Sequence, residues 1–192
     1  PVIDVCPSNV AVQCDTDVPA VDTNAVSGTD NCGTVTVTWI GDQSDSNSCP
    51  EVITRTYELS DDCGNATNCV QIITVHDTEN PVITCPSNVV LDCNVPFPAP
   101  DTASVIVTDN CSTGVGEIVV AHVGDVAVTN GCDVTVTRTY SATDECGNST
   151  NCVQMLSGHF DTTAPTVFPS GSSIILCGFP APGQGSLQVS DN

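Results

Sequence analysis

One stretch occurs twice in the chain. Ser60-Asp61-Asp62-Cys63-Gly64-Asn65-Ala66-Thr67-Asn68-Cys69-Val70-Gln71 returns as Thr143-Asp144-Glu145-Cys146-Gly147-Asn148-Ser149-Thr150-Asn151-Cys152-Val153-Gln154. Each copy gathers carboxylates, amide oxygens and two cysteines. Oxygen donors of this kind hold hard divalent cations, calcium above all. Paired cysteines form covalent staples in an oxidising compartment. Zinc is disfavoured: Cys-x5-Cys and Cys-x7-Cys are poor spacings for it, and no histidine recurs beside them. Each copy follows an Arg-Thr-Tyr segment (Arg55-Thr56-Tyr57, Arg138-Thr139-Tyr140) and leads into a second alternating or apolar run. Strand, acidic Cys-Gly-Asn tip and strand read as a β-hairpin, with Gly and Asn supplying the turn angles.

The surrounding chain is built to carry such tips. Val-Thr alternation, as in Thr34-Val35-Thr36-Val37-Thr38 and Val134-Thr135-Val136-Thr137, has the period of two of half-buried strands. Thirteen prolines and fourteen glycines punctuate the runs, and helix signals are poor, so an all-β chain is expected. The formal charge is −21, with no lysine and only two arginines, Arg55 and Arg138. Such a surface has almost nothing with which to neutralise phosphate, so nucleic acid and anionic membranes are excluded as partners. No window approaches the ~18 apolar residues of a membrane helix, and no membrane insertion is expected. Thirteen cysteines among 192 residues place the chain outside the cell, secreted or at the cell surface. A secreted product starting at Pro1 is expected to be a processed or excised piece.

The chain is also internally repeated. Pro1-Val2-Ile3 matches Pro81-Val82-Ile83, and Cys-Pro-Ser-Asn-Val recurs at Cys6 and Cys85. Cys14 and Cys32 match Cys93 and Cys111 at an offset of 79; Cys49, Cys63 and Cys69 match Cys132, Cys146 and Cys152 at an offset of 83. Four residues are therefore inserted in the middle loop of the second copy. A third copy opens at Pro165, keeps Cys177 in the place of Cys93, replaces the first cysteine by Pro169 and runs to Ser190-Asp191-Asn192. The expected organisation is one repeat over 1–80, a second over 81–164 and the N-terminal part of a third over 165–192. The linkers Asp77-Thr78-Glu79-Asn80-Pro81 and Asp161-Thr162-Thr163-Ala164-Pro165 are short and end in proline, which favours repeats standing end to end.

Cys-Pro-Ser-Asn-Val, Thr-Asp-Asn-Cys, Thr-Arg-Thr-Tyr, Asp-x-Cys-Gly-Asn-x-Thr-x-Cys and Asp-Thr-x-x-Pro, in that order, resemble the hyalin repeat (HYR) family. More particularly they resemble its cysteine-rich form in giant surface adhesins of Bacteroidota-like bacteria. The resemblance covers both full repeats and the fragment. It implies tandem immunoglobulin-like or fibronectin-III-like β-sandwich domains, disulfide-stapled, used as spacer or adhesive modules and without enzymatic activity. On that topology Cys14 and Cys49 lie at one end of a sandwich and Cys32 and Cys63 at the other. The expected pairs are then Cys6–Cys69, Cys14–Cys49 and Cys32–Cys63, repeated as Cys85–Cys152, Cys93–Cys132 and Cys111–Cys146. A Cys63–Cys69 pair across the hairpin is the rival, and the partner of Cys177 stays open.

The same topology gathers acidic groups at one end of each repeat. For the second they are Asp77 and Glu79 from the linker, Asp109 and Asn110, and Asp144, Glu145 and Asn148 from the hairpin. For the third they are Asp161 and Asp191, with Asn192. For the first they are Asp30, Asn31, Asp61, Asp62 and Asn65. Converging carboxylates repel one another, and a cation with six to eight oxygen ligands relieves this, so calcium is expected at each junction. The competing reading is turn chemistry, where Asp and Asn are common; it is preferred for Asp15, Asp17, Asp22, Asp42 and Asp45. The function expected is structural or adhesive: a segment of a calcium-stiffened surface adhesin or extracellular filament. Its partners are neighbouring repeats of the same protein, or chains of the same type. The alternative is a carbohydrate-binding accessory module of a secreted protein. Catalysis is not expected. The three histidines are scattered, no nucleophile elbow occurs, and one Trp, two Tyr and four Phe make a poor sugar platform.

Overall fold

The structure, a computed structural model, describes residues 1–111 and 117–163 and two short strands, Thr166–Val167 and Val189–Ser190. Cys177, Pro169, Asp191 and Asn192 lie outside the described residues. Fourteen strands are described, with three short 3-10 turns and no α-helix among the described residues.

The first sandwich has β1 (Val2–Val5), β2 (Val10–Val12), β3 (Ser27–Thr29), β4 (Thr36–Ser44), β5 (Glu51–Ser60) and β6 (Ala66–Val75). β1 pairs antiparallel with β3, and a four-stranded sheet runs β2-β6-β5-β4, with β2 parallel to β6. Alternation does what the Val-Thr pattern requires: Arg55, Tyr57 and Leu59 on β5 and Cys69, Gln71, Ile73 and Val75 on β6 point inward. Tyr57, Leu59, Cys69 and Val26 form the core, with Ile3 and Val37 packed against it. Gly28 is required where β3 meets β1, because a Cβ there would lie 2.3 Å from the Val2 carbonyl oxygen and 2.4 Å from Leu59 Cδ2.

The second repeat supplies β7 (Val82–Thr84), β8 (Val89–Val90), β9 (Ile106–Thr108), β10 (Val119–Asn130), β11 (Asp133–Thr143) and β12 (Ser149–His159); β13 (Thr166–Val167) and β14 (Val189–Ser190) follow. Its larger sheet runs β10-β11-β12-β8, and β8 is parallel to β12 as β2 is to β6. Val136, Tyr140, Ala142 and Leu156 are buried.

The motifs that recur in sequence make the same contacts in both repeats. Gln71 Nε2 donates to the Ser8 carbonyl at 2.8 Å and Gln154 Nε2 to that of Ser87 at 2.8 Å. Asn9 Oδ1 accepts from Ile72 N at 2.9 Å and Asn88 Oδ1 from Met155 N at 2.8 Å. Cys-Pro-Ser-Asn thus docks the first strand on the last, and Cys6–Cys69 and Cys85–Cys152 staple the same crossing.

Contacts divide the chain into two compact units. One is Pro1–Val82 with Thr108–Val119 and Thr143–Thr150; the other is Ile83–Val107, Val120–Ala142 and the residues from Asn151 on. Two loops of the second repeat therefore belong to the first unit, and they carry the site.

Four of the expected cystine pairs are corrected. Cys14 bonds Cys111 and Cys49 bonds Cys146, so Cys14–Cys49 and Cys111–Cys146 do not form. Cys32 and Cys63 are both free and exposed, and Cys132 is a free, half-buried thiol, so Cys32–Cys63 and Cys93–Cys132 do not form. Cys93 is disulfide-bonded. The strand register gives the reason: Val12 and Glu51 both pair with Val75. Cys14, Cys49 and the linker therefore leave the sheet at one end. There they meet Cys111 and Cys146 of the following repeat.

Candidate metal centre

Three segments of the first unit meet beyond Val75. The linker brings Asp77, the loop after β9 brings Asp109 and Asn110, and the β11–β12 tip brings Asp144 and Asn148. The carboxylates of Asp77, Asp109 and Asp144 each offer an oxygen, and these lie within 4.8 Å of one another. Asp77 and Asp144 are buried and Asp109 is half-buried.

Local hydrogen bonds set each carboxylate in place. Asp77 Oδ1 accepts from Glu79 N at 3.0 Å and Asn110 Nδ2 at 3.3 Å. Asp109 Oδ1 accepts from Cys111 N at 3.1 Å. Asp144 Oδ1 accepts from Asn148 N at 2.8 Å and its Oδ2 from Asn148 Nδ2 at 2.9 Å. The Asn148 amide also reaches the Asp77 carbonyl, at 3.0 Å, and so couples tip to linker. The linker is itself pinned: Gln13 Oε1 accepts from Thr78 N at 2.9 Å, and Gln13 Nε2 donates to Thr78 Oγ1 at 3.1 Å. The turn reading and the cation reading therefore both apply to Asp144. Its oxygens close the hairpin and still face two other carboxylates.

No arginine or lysine is left to neutralise this group. The chain has two arginines and no lysine. Arg55 is held by Asp42 at 2.9 and 2.7 Å and by the Pro19 carbonyl at 2.7 Å, and Arg138 by Asp125 at 3.0 and 2.8 Å.

A cleft of about 250 Å³ opens beside the cluster, flanked by Cys14–Cys111 and Cys49–Cys146. Asp15, Glu117 and Glu145 join Asp77 and Asp144 in its walls. Asp15, read from sequence as a turn residue, and Glu117, not singled out, are the acidic residues that sequence reading missed here. The available signal was the four-residue insertion, which lengthens the loop that carries Glu117. Glu79 contributes its backbone N–H to Asp77 and is itself exposed. Among the described residues, no aromatic ring lines the cleft. Trp39 is 44% exposed on β4, with its Nε1 donating to Asp42 at 3.1 Å.

The counterparts are less complete. Asp30 Oδ2 lies 2.9 Å from the Pro1 nitrogen, whose charge, with the Cys32 N–H, holds that carboxyl below the usual range. Asp61 is held low by the Asn65 side chain, which donates to it at 2.7 Å. Among the described residues, Asp30 and Asp61 gain no third carboxylate, and Asn31 and Asp62 are exposed. Asp161 is bound to the side chain of Asn94 through its backbone, and Asp191 lies outside the described residues.

No family model matches the sequence, and no curated protein matches it. Among solved structures the chain is similar to cadherin ectodomains. With Drosophila N-cadherin EC1-4 the identity is 11% over 84% of this chain and 50% of that one, at a TM-score of 0.38. With protocadherin gamma B2 domains 1-5 it is 15% over 87% and 40%, at 0.38. With human protocadherin-24 EC1-2 it is 15% over 80% and 93%, at 0.28. The chain spans half or less of the first two. Similarity of this degree bears on neither ligand nor partner.

Proposed function

We propose that the chain is a segment of an extracellular structural or adhesive repeat protein of the hyalin-repeat type. In it, calcium held by Asp77, Asp109 and Asp144 fixes the linker to the two loops it meets. The observation that carries this reading is the convergence of three carboxylates from three separate segments, in a chain with no spare arginine or lysine. The donor set is hard: three carboxylates and, after rotation of its amide, Asn110 Oδ1. Calcium accepts such a mixed and irregular set, whereas magnesium demands near-octahedral geometry. The nearby cysteines are oxidised and so are not soft-metal ligands. The function is mechanical: cystines and a cation hold the joint, and repetition extends it.

Titration calorimetry of the whole chain with calcium chloride tests this. The expected dissociation constant is roughly 0.1–1 mM, the range of extracellular modules. At about 10 mM calcium, mass action then adds roughly 1.4–2.7 kcal/mol to stability. Asp77→Asn and Asp144→Asn keep an acceptor oxygen for the turn and are expected to weaken binding at least tenfold. A wild-type chain with neither heat nor a rise in melting temperature on adding calcium defeats the reading.

A further inference from the structure

Asn-x-Ser/Thr, with any residue but proline in the middle, is the acceptor sequence for N-glycosylation. It occurs as Asn65-Ala66-Thr67, Asn110-Cys111-Ser112 and Asn148-Ser149-Thr150. Turn chemistry alone accounts for the asparagine of Asp-x-Cys-Gly-Asn, so the sequence pattern by itself does not choose among the three. The structure does, through the use each residue makes of its side-chain nitrogen. An asparagine amide carries two hydrogens on Nδ2, and a glycan takes the place of one of them.

At half-buried Asn148 both hydrogens are in use: Nδ2 donates to Asp144 Oδ2 at 2.9 Å and to the Asp77 carbonyl at 3.0 Å. A sugar there breaks one of these bonds and stands between tip and linker. Asn110 Nδ2 lies 3.3 Å from Asp77 Oδ1 and 3.0 Å from Cys111 Sγ, and Cys111, the middle residue of that acceptor sequence, is tied to Cys14. Asn65 Nδ2 donates once, to Asp61 Oδ2 at 2.7 Å, and its second hydrogen has no partner among the described residues. Asp62, Cys63, Gly64, Asn65 and Ala66 are all exposed, and a Cβ on Gly64 would meet nothing within 4 Å. Ala66 and Thr67 pair with Ser60 and Leu59, the last two rungs of their hairpin. Freeing the Thr67 hydroxyl for a transferase therefore opens the end of a ladder and not its middle.

We propose that Asn65 is an N-glycosylation site, and that Asn110 and Asn148 stay unmodified in the folded protein. The co-substrate is an oligosaccharide carried on a lipid pyrophosphate, presented by a transferase of the export route along which cystines form. Asn65 Nδ2 attacks the anomeric carbon of the first sugar. The N–C bond forms, the C–O bond to the pyrophosphate breaks, the lipid pyrophosphate leaves with the bonding pair, and one amide proton passes to a base of the transferase. The N–H that remains still donates to Asp61 Oδ2, and Asn65 N keeps its bond of 2.8 Å to Asp61 Oδ1. The turn thus survives modification, and the glycan projects from the exposed tip. The inference rests on amide hydrogen bonds and exposure, not on calcium.

The whole chain is secreted from a eukaryotic cell line, and its glycans are released by an amidase in heavy-oxygen water, which marks each formerly glycosylated asparagine as a labelled aspartate. Peptide mass spectrometry is expected to find the label at Asn65 in most chains and at neither Asn110 nor Asn148. The intact mass of the secreted protein falls by one glycan in Asn65→Gln and equally in Thr67→Ala. The second variant keeps the Asn65 bonds to Asp61, so it separates loss of the acceptor sequence from loss of the turn. Secreted chains without a label at Asn65 overturn the proposal. So does a label at Asn110 or Asn148 in chains that retain Cys14–Cys111 and Cys49–Cys146, or a glycan on Asn65 that survives Thr67→Ala. None of these results touches the calcium titration, so the two readings fail separately.

Discussion

Arg55 and Arg138 hold the only permanently charged cationic side chains of the protein, and both are spent inside the sandwiches. Each side chain is 4% exposed and grips one aspartate, Asp42 or Asp125, from the neighbouring strand. Their place in Arg-Thr-Tyr was visible in the sequence, but the aspartates opposite them were read as turn or unremarked residues. Cross-strand register, not local spacing, makes those pairs. The Arg138 guanidinium, with His122 beside it, holds the Asp125 carboxyl down at about 2. An aspartate is near 3.9 in an unfolded chain. The folded value is depressed, so the stabilisation is fully present above about pH 4 and disappears as pH falls through about 2. Asp125→Asn leaves a buried guanidinium without its counter-charge and is expected to cost about 3 kcal/mol at neutral pH. Denaturant unfolding from pH 7 to 2 checks this: the gap between wild type and variant is constant down to about pH 4 and then closes.

At the level of elements, the hairpin tips were legible because their chemistry is local. Asp-x-Cys-Gly-Asn specifies its own turn: the aspartate accepts from the backbone four residues on, and the glycine takes a left-handed φ. The alternating strands were legible for the same reason, since each face of a β5 or β11 follows from period two. The cystines at the linker end were not. Cys14 and Cys49 were correctly put at one end of a sandwich, but a pairing within the repeat ignored the loops of the next repeat that arrive there. Among the expected ligands, Asp77, Asp109 and Asp144 come together, whereas Asp30 and Asp61 gain no third carboxylate among the described residues. The two glycines separate turn energy from site energy. Gly147→Ala and Gly64→Ala each place an alanine at positive φ and are expected to cost about 1–2 kcal/mol. Only Gly147→Ala shifts Asp144, so only it should also weaken calcium binding, by several-fold, in parallel calorimetric titrations.

For the whole molecule, the question is what brings the three carboxylates together before a cation arrives. Unassisted, they repel. Cys14–Cys111 fastens the Asp109 loop, and Cys49–Cys146 fastens the Asp144 tip, to the same strand ends that emit Asp77. The cystines therefore preorganise a site that charge alone would open. Removing one as the pair Cys14→Ser/Cys111→Ser releases a closed loop of 97 residues, worth about 4–5 kcal/mol in the chain-entropy model. Cys85→Ser/Cys152→Ser releases one of 67 residues, worth a similar amount, about 4 kcal/mol, away from the carboxylates. Both double variants are expected to melt lower by comparable amounts. They part in the titration: the first loses calcium affinity by at least tenfold, because binding energy now has to close the joint, while the second binds as wild type does. Equal affinities in the two variants would mean that the carboxylates are positioned by their turns alone.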